Sequence, residues 1–393
     1  MHTDAMTEKF NFDTVPDRSD MSSAKWNRRT EAEKREGIVP FSIADMEFET
    51  APCVKRAIRR VADSGSFGYA DVDGAYFSAV AGWMQRRHGW AVEKEWIVVQ
   101  NGVVPAISVA IRAFTAPGDS ILMLSPRYAP FESVAIETGR VPVCSELRLA
   151  DGRYTVDFDD FQTKAAGAKL FLLCSPHNPT GRVWTADELR RMVRICGEHG
   201  LLIVSDEIHH DLTLKQKHRV FCDACPETRN LCLVLTTPAK TFSVAGLQLA
   251  NTIIPDQELR EKYLQRRNAD GYGSPSLFGV HATIAAYNEG DAWLEALLDY
   301  VRGNFEFLET WLRKNIPGIK MVPAEATYLA WLDCRALALD DEALLRLFRE
   351  KAGIIPNPGP WFGAGGSGFM RLNIAMPRAE MEKALHRLRE AMS

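Results

Sequence analysis

The feature of this 393-residue chain that most constrains its fold is a repeated alternation between short apolar runs and longer helical stretches. Most of the runs are continuously apolar and rich in β-branched residues, which is typical of strands covered on both faces of a sheet. Seven such runs lie at residues 96–100, 121–125, 141–145, 170–174, 201–205, 232–235 and 251–254. Between two of them, Thr185 and Glu188 form a capping box that predicts a helix over 185–199. The alternation predicts an α/β fold with a mostly parallel, seven-stranded sheet.

The last third of the chain does not continue this alternation. From about residue 256 the pattern is helical and then becomes mixed. It predicts strands at 328–333 and 369–374 and helices at 340–351 and 378–392. Such a mixture indicates a second, smaller α+β domain.

These patterns divide the chain into three parts. We expect residues 51–290 to form the large domain and residues 291–393 to form the small C-terminal domain. Residues 1–50 hold no complete set of elements and are expected to form an N-terminal arm that packs with the small domain. The Gly- and Pro-rich segment 356–368 is predicted to be a loop or lid.

Charge and composition exclude several classes of protein. The chain has 47 Lys and Arg against 51 Asp and Glu, a net charge of −4, so nothing in its charge favours nucleic acid or an anionic membrane as a partner. No apolar run approaches the roughly 20 residues that span a bilayer. The polar start of the chain does not match a signal peptide, and eight cysteines are too few for a disulfide scaffold. We therefore expect a reduced, soluble, cytoplasmic protein.

Four polar clusters directly follow predicted strands, at residues 100–104, 175–181, 205–211 and 236–242. Ligands of α/β sheets bind beyond the carboxyl ends of the strands, so these clusters are candidate site segments. The first begins a helix whose free N–H groups suit a phosphate. The others present Asn178, Asp206 and Lys240.

Each cluster alone also has a plain structural interpretation. A turn needs no function, and most single lysines are solvated. His209 and His210 beside acidic residues allow a metal site, but adjacent side chains point apart and no third ligand lies at a suitable spacing. A lone Cys222-x-x-Cys225 is equally weak support for zinc or redox chemistry. We therefore predict no metal site.

Taken together, the clusters suit one cofactor, pyridoxal 5'-phosphate (PLP). This cofactor needs a lysine for its aldehyde, a carboxylate for its pyridine nitrogen, a hydrogen-bond donor for its phenolic oxygen and backbone N–H groups for its phosphate. The chain supplies all four in order along the sheet.

The chain resembles fold-type I PLP enzymes of the class I/II aminotransferase superfamily, and within them the cystathionine β-lyase branch of the MalY/PatB type. The resemblance runs nearly end to end. Its motifs are Ile-Ala-Asp-Met-Glu-Phe at 43–48, Phe-Gly-Tyr at 67–69, Ser-Pro-His-Asn-Pro-Thr-Gly-Arg-Val-Trp at 175–184, Ser-Asp-Glu-Ile-His at 205–209, Lys-Thr-Phe at 240–242, Thr-Tyr-Leu-Ala-Trp-Leu at 327–332 and Arg-Leu-Asn at 371–373.

The resemblance implies roles around the cofactor ring. Lys240 would bond to the cofactor aldehyde and later act as the base at the substrate Cα. Asp206 would pair with the pyridine nitrogen, and Asn178, helped by His209, would hold the phenolic oxygen. Tyr128 would stack on the ring, although a core aromatic is an equally good interpretation of this residue.

It also implies roles around the phosphate and the substrate. The backbone N–H groups of Val103 and Val104 and the hydroxyl of Thr237 would bind the phosphate. Tyr69 would act in catalysis and reach the phosphate of a neighbouring subunit, which implies a homodimer with shared active sites. Arg371 would clamp the substrate α-carboxylate, and the substrate pocket would include Ala44 and Asp45.

One departure separates the possible activities. Many aminotransferases place a phosphate-binding arginine eight residues after the lysine, where this chain has Gln248. The resemblance therefore favours a carbon–sulfur β-lyase that cleaves cystathionine or another L-cysteine S-conjugate to a thiol, pyruvate and ammonia. A PLP-dependent aminotransferase is the first alternative, and a PLP-binding regulatory or scaffold protein is the second.

Overall fold

Eight strands form the main sheet of the computed structural model, which describes residues 10–225 and 228–392. They are β1 (Ile97–Gln100), β2 (Ser120–Ser125), β3 (Val141–Ala150), β4 (Arg153–Val156), β5 (Ala168–Cys174), β6 (Leu202–Asp206), β7 (Cys232–Thr236) and β8 (Ala250–Ile253). Their order is β1-β8-β7-β6-β5-β2-β3-β4. Strands β3, β2, β5, β6 and β7 are parallel, whereas β8 is antiparallel to both of its neighbours. The α/β fold and the seven predicted strands are confirmed.

Strand β4 is the one strand of this sheet that was not predicted. It pairs antiparallel with the end of β3 through a turn at Asp151 and Gly152, both of which have positive φ. Tyr154 and Val156 are buried, and their neighbours on the strand are more exposed. An Asp-Gly pair followed by alternating apolar residues is a hairpin signal, so the sequence did contain the information for this strand.

Helices cover both faces of the main sheet. The helices are α1 (Glu31–Arg35), α2 (Pro52–Asp63), α3 (Gly74–Trp83), α4 (Val103–Phe114), α5 (Ala129–Glu137), α6 (Phe158–Ala165), α7 (Ala186–His199), α8 (Phe221–Ala224), α9 (Pro238–Thr241), α10 (Gln257–Ala269), α11 (Leu277–Glu289), α12 (Asp291–Asn315), α13 (Asp341–Arg346) and α14 (Arg378–Ala391). Within β5, Leu170 and Leu172 pack into the core cluster that contains α4, and Phe171 and Leu173 pack into the opposite cluster. Both faces are therefore buried, as the continuous apolar runs indicated.

The predicted capping box of α7 is present. The Thr185 side chain accepts a hydrogen bond from the Glu188 N–H, and the Glu188 side chain accepts one from the Thr185 N–H. Helix α7 ends at Gly200, whose left-handed backbone terminates it.

A second, antiparallel sheet lies in the last third of the chain. Its strands are β9 (Lys320–Met321), β10 (Leu329–Asp333), β11 (Asn357–Pro358) and β12 (Phe369–Asn373), in the order β11-β12-β10-β9. Strands β10 and β12 agree with the two predicted strands. The predicted helix over 340–351 is α13 followed by a π-helical turn, Leu347–Lys351. The division into an arm, a large domain and a small domain stays a prediction.

The segment that precedes α2 runs along the second sheet. The Asn373 N–H donates to the Phe41 carbonyl at 2.7 Å, and the Glu47 N–H donates to the Ala375 carbonyl at 2.8 Å. The Asn373 side chain also donates to the carbonyls of Ile43 and Asp45. These bonds fix residues 43–45 beside the end of β12.

Two cysteines are oxidised, although the composition led us to expect a reduced protein. Cys222 on α8 and Cys232 at the start of β7 form a disulfide. The pairing depends on how α8 packs against β7, and the Cys-x-x-Cys spacing does not reveal it. In the described residues, no helix is both long enough and apolar enough to cross a bilayer.

Candidate active site

A cavity of about 220 Å³ lies beyond the carboxyl ends of β5, β6 and β7, with residues 43–44 and strand β12 also contributing to its wall. Seven of the predicted site residues line it: Ala44, Tyr128, Asn178, Asp206, His209, Lys240 and Arg371. They come from six separate segments of the chain. The rule that ligands bind at the carboxyl edge of a parallel sheet therefore located the site correctly.

Lys240 is placed by the short helix α9. Thr237 caps this helix, since its hydroxyl accepts a hydrogen bond from the Ala239 N–H at 3.1 Å. The Lys240 Nζ donates to the Ala44 carbonyl at 2.7 Å. Burial lowers the pKa of Lys240 to about 8, although the negative charge of Asp45 opposes this. About a tenth of the amine is therefore uncharged at pH 7, far more than in an ordinary lysine, which makes it a better nucleophile and base.

Asp206 is the last residue of β6 and is buried. Its Oδ1 accepts a long hydrogen bond of 3.4 Å from the Ile208 N–H, whereas its Oδ2 has no hydrogen-bond partner among the described residues. Burial raises the pKa of Asp206 to about 7. A buried carboxyl group without partners is unfavourable, so a ligand that brings a positively charged N–H to Oδ2 would be strongly bound.

Arg371, in the middle of β12, is a buried cation. Its guanidinium donates to the side-chain oxygen of Asn178 at 2.9 Å and to that of Asn357 at 2.6 Å. Burial lowers the pKa of Arg371 to about 10, so it remains charged at pH 7. Its Nε has no hydrogen-bond partner among the described residues. Two neutral amides fix its orientation and leave its charge available for an anion.

In the wall of the cavity, His209 is buried and Tyr128 is half-buried. Burial holds the pKa of His209 well below its usual range, so its ring is neutral, and its Nδ1 has no partner among the described residues. Burial raises the pKa of Tyr128 to about 12, so its phenol stays protonated. The hydroxyl of Tyr328, whose ring lies 6.1 Å from that of His209, donates to the Ala44 carbonyl.

The predicted phosphate-binding residues lie outside the lining of this cavity. Val103 and Val104 begin α4 after Gly102, whose φ of +107° favours glycine. A Cβ at Gly102 would lie 3.3 Å from the Gln248 side-chain oxygen, so Gln248 closely approaches this helix start. The Thr237 hydroxyl donates to the Leu249 carbonyl at 2.7 Å. The phosphate-binding roles of these residues stay predictions.

Tyr69 and Asp45 also lie outside the cavity lining. The Tyr69 side chain is fully exposed and lines a separate groove together with Tyr272. Within one chain it does not meet Lys240, so its predicted role depends on a second chain. The Asp45 carboxylate forms an ion pair with Arg18, and the Asp45 carbonyl accepts from Lys25.

The cavity-wall residues that were not identified as site residues from the sequence include three that matter for its chemistry: Arg28, Cys174 and Asn357. Asn357 orients Arg371 across the second sheet, a contact between residues that no local motif connects. Cys174 is buried at the end of β5, and its sulfur accepts from the Asn178 N–H. Of the three, only Asn357 carried a signal, since it lies in the Gly- and Pro-rich segment predicted to be a loop or lid.

The arrangement has a clear chemical capacity. One small cavity is lined by an amine of reduced basicity, an oriented guanidinium and a buried carboxyl group, one oxygen of which has no partner among the residues that the structure describes. The amine is suited to condense with an aldehyde, the carboxyl to pair with a cationic ring nitrogen, and the guanidinium to bind a carboxylate.

Comparison with known proteins agrees with this arrangement. The model of the family described as aminotransferase class I and II matches residues 36–388. Cystathionine beta-lyase PatB of Bacillus subtilis (strain 168) is 39% identical over 386 residues, which cover 98% of this chain and 100% of that protein. Protein MalY of Escherichia coli (strain K12) is 34% identical over 96% of this chain and 97% of its own length.

A solved structure extends the similarity to the whole fold. The crystal structure of cystalysin from Treponema denticola, which contains a pyridoxal 5'-phosphate cofactor, matches with a TM-score of 0.94 at 35% identity. The match covers 98% of this chain and 99% of that chain.

Proposed function

This chain belongs to the aminotransferase class I and II family, and we propose that it is a PLP-dependent carbon–sulfur β-lyase. Its substrate is L-cystathionine or another L-cysteine S-conjugate, and its products are a thiol, pyruvate and ammonia. The relatives named cystathionine beta-lyase and the similarity to cystalysin support this choice. The observation that carries it is the Oδ2 of Asp206, which has no hydrogen-bond partner in the described part of the chain and lies in the same cavity as the Lys240 amine.

The residues of the cavity fit the cofactor. Lys240 would bond to its aldehyde, and Asp206 would receive its ring N–H at the oxygen that lacks a partner. Asn178 and His209 would hold the phenolic oxygen, and Tyr128 would stack on the ring. When bound, PLP supplies an aldehyde that condenses with amines and a ring that accepts the electron pair released at Cα.

Arg371 binds and orients the substrate. The N–H groups of its guanidinium donate to the α-carboxylate, while Asn178 and Asn357 keep the guanidinium plane fixed. An oriented carboxylate restricts rotation about the bonds to Cα and keeps the Cα–H bond facing the amine.

Lys240 then acts as the base. With a pKa near 8, its uncharged amine accepts the Cα proton at neutral pH. The bond between Cβ and sulfur breaks, the sulfur leaves with the electron pair as a thiolate, and water converts the remaining three-carbon fragment to pyruvate and ammonia.

Gln248 supports elimination over amino transfer. Its side-chain oxygen would lie 3.3 Å from a Cβ built at Gly102, so a neutral amide stands beside the start of α4. A neutral amide hydrogen-bonds a phosphate without neutralising its charge. The resemblance to the lyase branch, which departs from the aminotransferase arginine at this position, is therefore consistent with the geometry.

The proposal includes a homodimer with shared active sites, in which Tyr69 acts at the phosphate of the partner subunit. Tyr69 is fully exposed, whereas no other tyrosine among the described residues is. This exposure supports a role for Tyr69 at a second chain. The same proposal includes three further expectations from the sequence. The substrate is a small amino acid, the protein has no nucleic-acid or membrane partner, and it is cytoplasmic.

A panel of thioether amino acids tests the function. The purified protein is incubated with L-cystathionine and S-alkyl-L-cysteines, with and without a 2-keto acid, and pyruvate and ammonia are measured. The proposal expects equal amounts of both products without any keto acid. Turnover only with a keto acid would instead identify an aminotransferase, and cofactor binding without turnover would favour a scaffold protein.

A further inference from the structure

A second cavity, of about 360 Å³, lies among histidine side chains outside the proposed active site. His88, His210 and His218 line it together with Asp211, and we call these four residues the histidine cluster. The His88 and His210 rings are 4.3 Å apart, and the His218 ring lies 6.1 Å and 6.2 Å from them. The proposed β-lyase reaction uses none of the four.

His210 is the unexplained member of this cluster. It is fully buried, yet neither ring nitrogen makes a hydrogen bond to any described residue. Its Nε2 lies 3.2 Å from the Asp211 Oδ2 without hydrogen-bond geometry. A buried imidazole with no hydrogen bond is unfavourable, and a ligand that accepts its lone pair would remove the penalty.

Asp211 and His88 complete a set of possible metal ligands. The His88 Nε2 lies 2.8 Å from the Asp211 Oδ1. One ligand atom from each of His88, His210 and Asp211 lies within 4.8 Å of the other two. Ligand atoms in a tetrahedral zinc site are about 3.4 Å apart, so small shifts of these side chains would form such a site.

We propose that His88, His210 and Asp211 bind a zinc-like divalent transition-metal ion, with its remaining coordination position facing the cavity. Two imidazoles favour zinc, cobalt or nickel over magnesium or calcium, which prefer oxygen ligands. The sequence alone had excluded this site because no third ligand lay near His209 and His210. His88, which follows α3 and is distant along the chain, supplies that ligand.

The surroundings resemble the outer shell of a metal site. Trp83 Nε1 and Thr241 Oγ1 donate to the Asp211 carboxylate, at 3.1 Å and 2.7 Å, and hold it in place. The His218 Nε2 forms a hydrogen bond of 2.6 Å with the Oε2 of the buried Glu207. The His218 Nδ1 makes no hydrogen bond to the described residues. Hydrogen bonds that hold a ligating carboxylate in place, as Trp83 and Thr241 hold Asp211, are a regular feature around metal sites.

The charge of the cavity limits the affinity. Arg86 and Arg87 also line it, and both pair with Asp291. Lys215 and Lys217 line it as well. These cations oppose a dication, so tight binding depends on direct coordination by the two imidazoles, which calcium, a cation that prefers oxygen ligands, does not favour.

The metal would also stiffen the neighbourhood of Lys240. Asp211 bonds to Thr241, the residue that follows Lys240 on α9, and coordination would fix Asp211 to the end of α3. A bound ion would therefore raise the thermal stability of the protein.

Cobalt binding tests this proposal. The cofactor-loaded protein is freed of metal with a chelator, and Co²⁺ is titrated while its visible ligand-field absorption is followed, with Zn²⁺ as competitor. We expect one Co²⁺ per chain, displacement by Zn²⁺ and a higher Tm with either ion. His210→Asn should weaken binding by about 100-fold, and His88→Asn by a similar factor.

His199→Asn is the matched control, because His199 is exposed at the end of α7. It should bind Co²⁺ as the unaltered protein does. The cofactor absorbance and circular dichroism of each variant verify that it is folded. Absence of a Co²⁺ spectrum in the unaltered protein, or equal affinity in His210→Asn, would overturn the proposal. Neither result would affect the proposed β-lyase activity, which the thioether panel measures separately.

Discussion

Two buried carboxyl groups lie five residues apart, Asp206 at the end of β6 and Asp211 just after it, and their surroundings differ. Asp206 receives one long hydrogen bond and its Oδ2 receives none from the described residues. Asp211 accepts from Trp83, His88 and Thr241. Burial raises the pKa of Asp206 to about 7. Burial acts on Asp211 in the same direction, but His210 and His88 outweigh it and hold the pKa of Asp211 well below its usual range.

The difference shows how one short segment serves two purposes. The donors around Asp211 tie α3 and α9 together, so this carboxylate contributes to the folded structure itself. Among the described residues, the Oδ2 of Asp206 has no hydrogen-bond partner at the cavity, which lowers the stability of the cofactor-free protein and preserves a site for a ligand. The predictions below test this contrast.

The largest effect is expected at the amine that faces Asp206 across the cavity. Lys240→Ala should lower kcat/KM for L-cystathionine by at least about 10⁴-fold, because it removes both the attachment point of the cofactor and the base. It should also abolish the visible absorbance of the bound cofactor. Lys262→Ala, at an exposed position on α10, should change neither quantity. Retained pyruvate release by Lys240→Ala would contradict the assignment.

The second effect concerns stability. Asp211→Asn should lower the free energy of unfolding by about 3 kcal/mol, because buried N–H and O–H groups of His88, Trp83 and Thr241 lose a charged acceptor. Urea denaturation of the cofactor-free protein measures this loss. Asp187→Asn, at an exposed position, should change it by less than about 0.5 kcal/mol.

The third effect concerns substrate binding. Arg371→Lys should lower kcat/KM by about 10²-fold, mostly through KM, because an ammonium does not reproduce the fork that Asn178 and Asn357 orient. Arg194→Lys, on an exposed part of α7, is the control. Steady-state kinetics with S-alkyl-L-cysteines give both parameters. An unchanged KM in Arg371→Lys would mean that another group binds the α-carboxylate.

The smallest effect depends on pH. The pKa of Asp206 is about 7 when folded and about 3.9 when unfolded, so its contribution to stability is present below pH 4 and is lost as pH rises through 7. Asp206→Asn has no such loss. Without cofactor, its free energy of unfolding relative to the unaltered protein should increase by about 2 kcal/mol between pH 5 and pH 8.

Urea denaturation at several pH values measures this increase, and Asp187→Asn again serves as the control. A difference that does not vary with pH would mean that Asp206 has an ordinary pKa in the folded protein. The same Asp206→Asn substitution should lower catalytic activity, whereas the stability difference should reverse when the cofactor is bound.

The fold was largely predictable because its strands are buried on both faces. Continuous apolar runs such as 170–174 have few alternatives to a covered strand, and the structure confirms them. Strand β4 was missed because it is short and half polar, so its signal lay in the Asp151-Gly152 turn. The disulfide between Cys222 and Cys232 was missed because it depends on tertiary packing.

The candidate site was predictable where its residues follow strands or lie in motifs. Lys240, Asp206 and Asn178 were identified in this way, and all three line the cavity. Asn357 and His88 were not identified, because each reaches its partner from a distant part of the chain. Pairwise contacts of this kind arise only when separate elements pack together, so local spacing does not encode them.

The carbonyl of Ala44 accepts from both Lys240 and Tyr328. Once the lysine is bonded to a cofactor, its Nζ no longer carries the three protons of an ammonium, and the tether from Lys240 to this carbonyl weakens. The Tyr328 hydroxyl then remains bonded to this carbonyl, so residue 44 in the cavity wall keeps this contact, beside the Asn373 bonds to residues 43 and 45, in both the loaded and the empty protein. Loss of the Tyr328 hydroxyl would therefore speed proteolytic cleavage near residue 44. This increase would be larger in the cofactor-bound protein than in the cofactor-free protein.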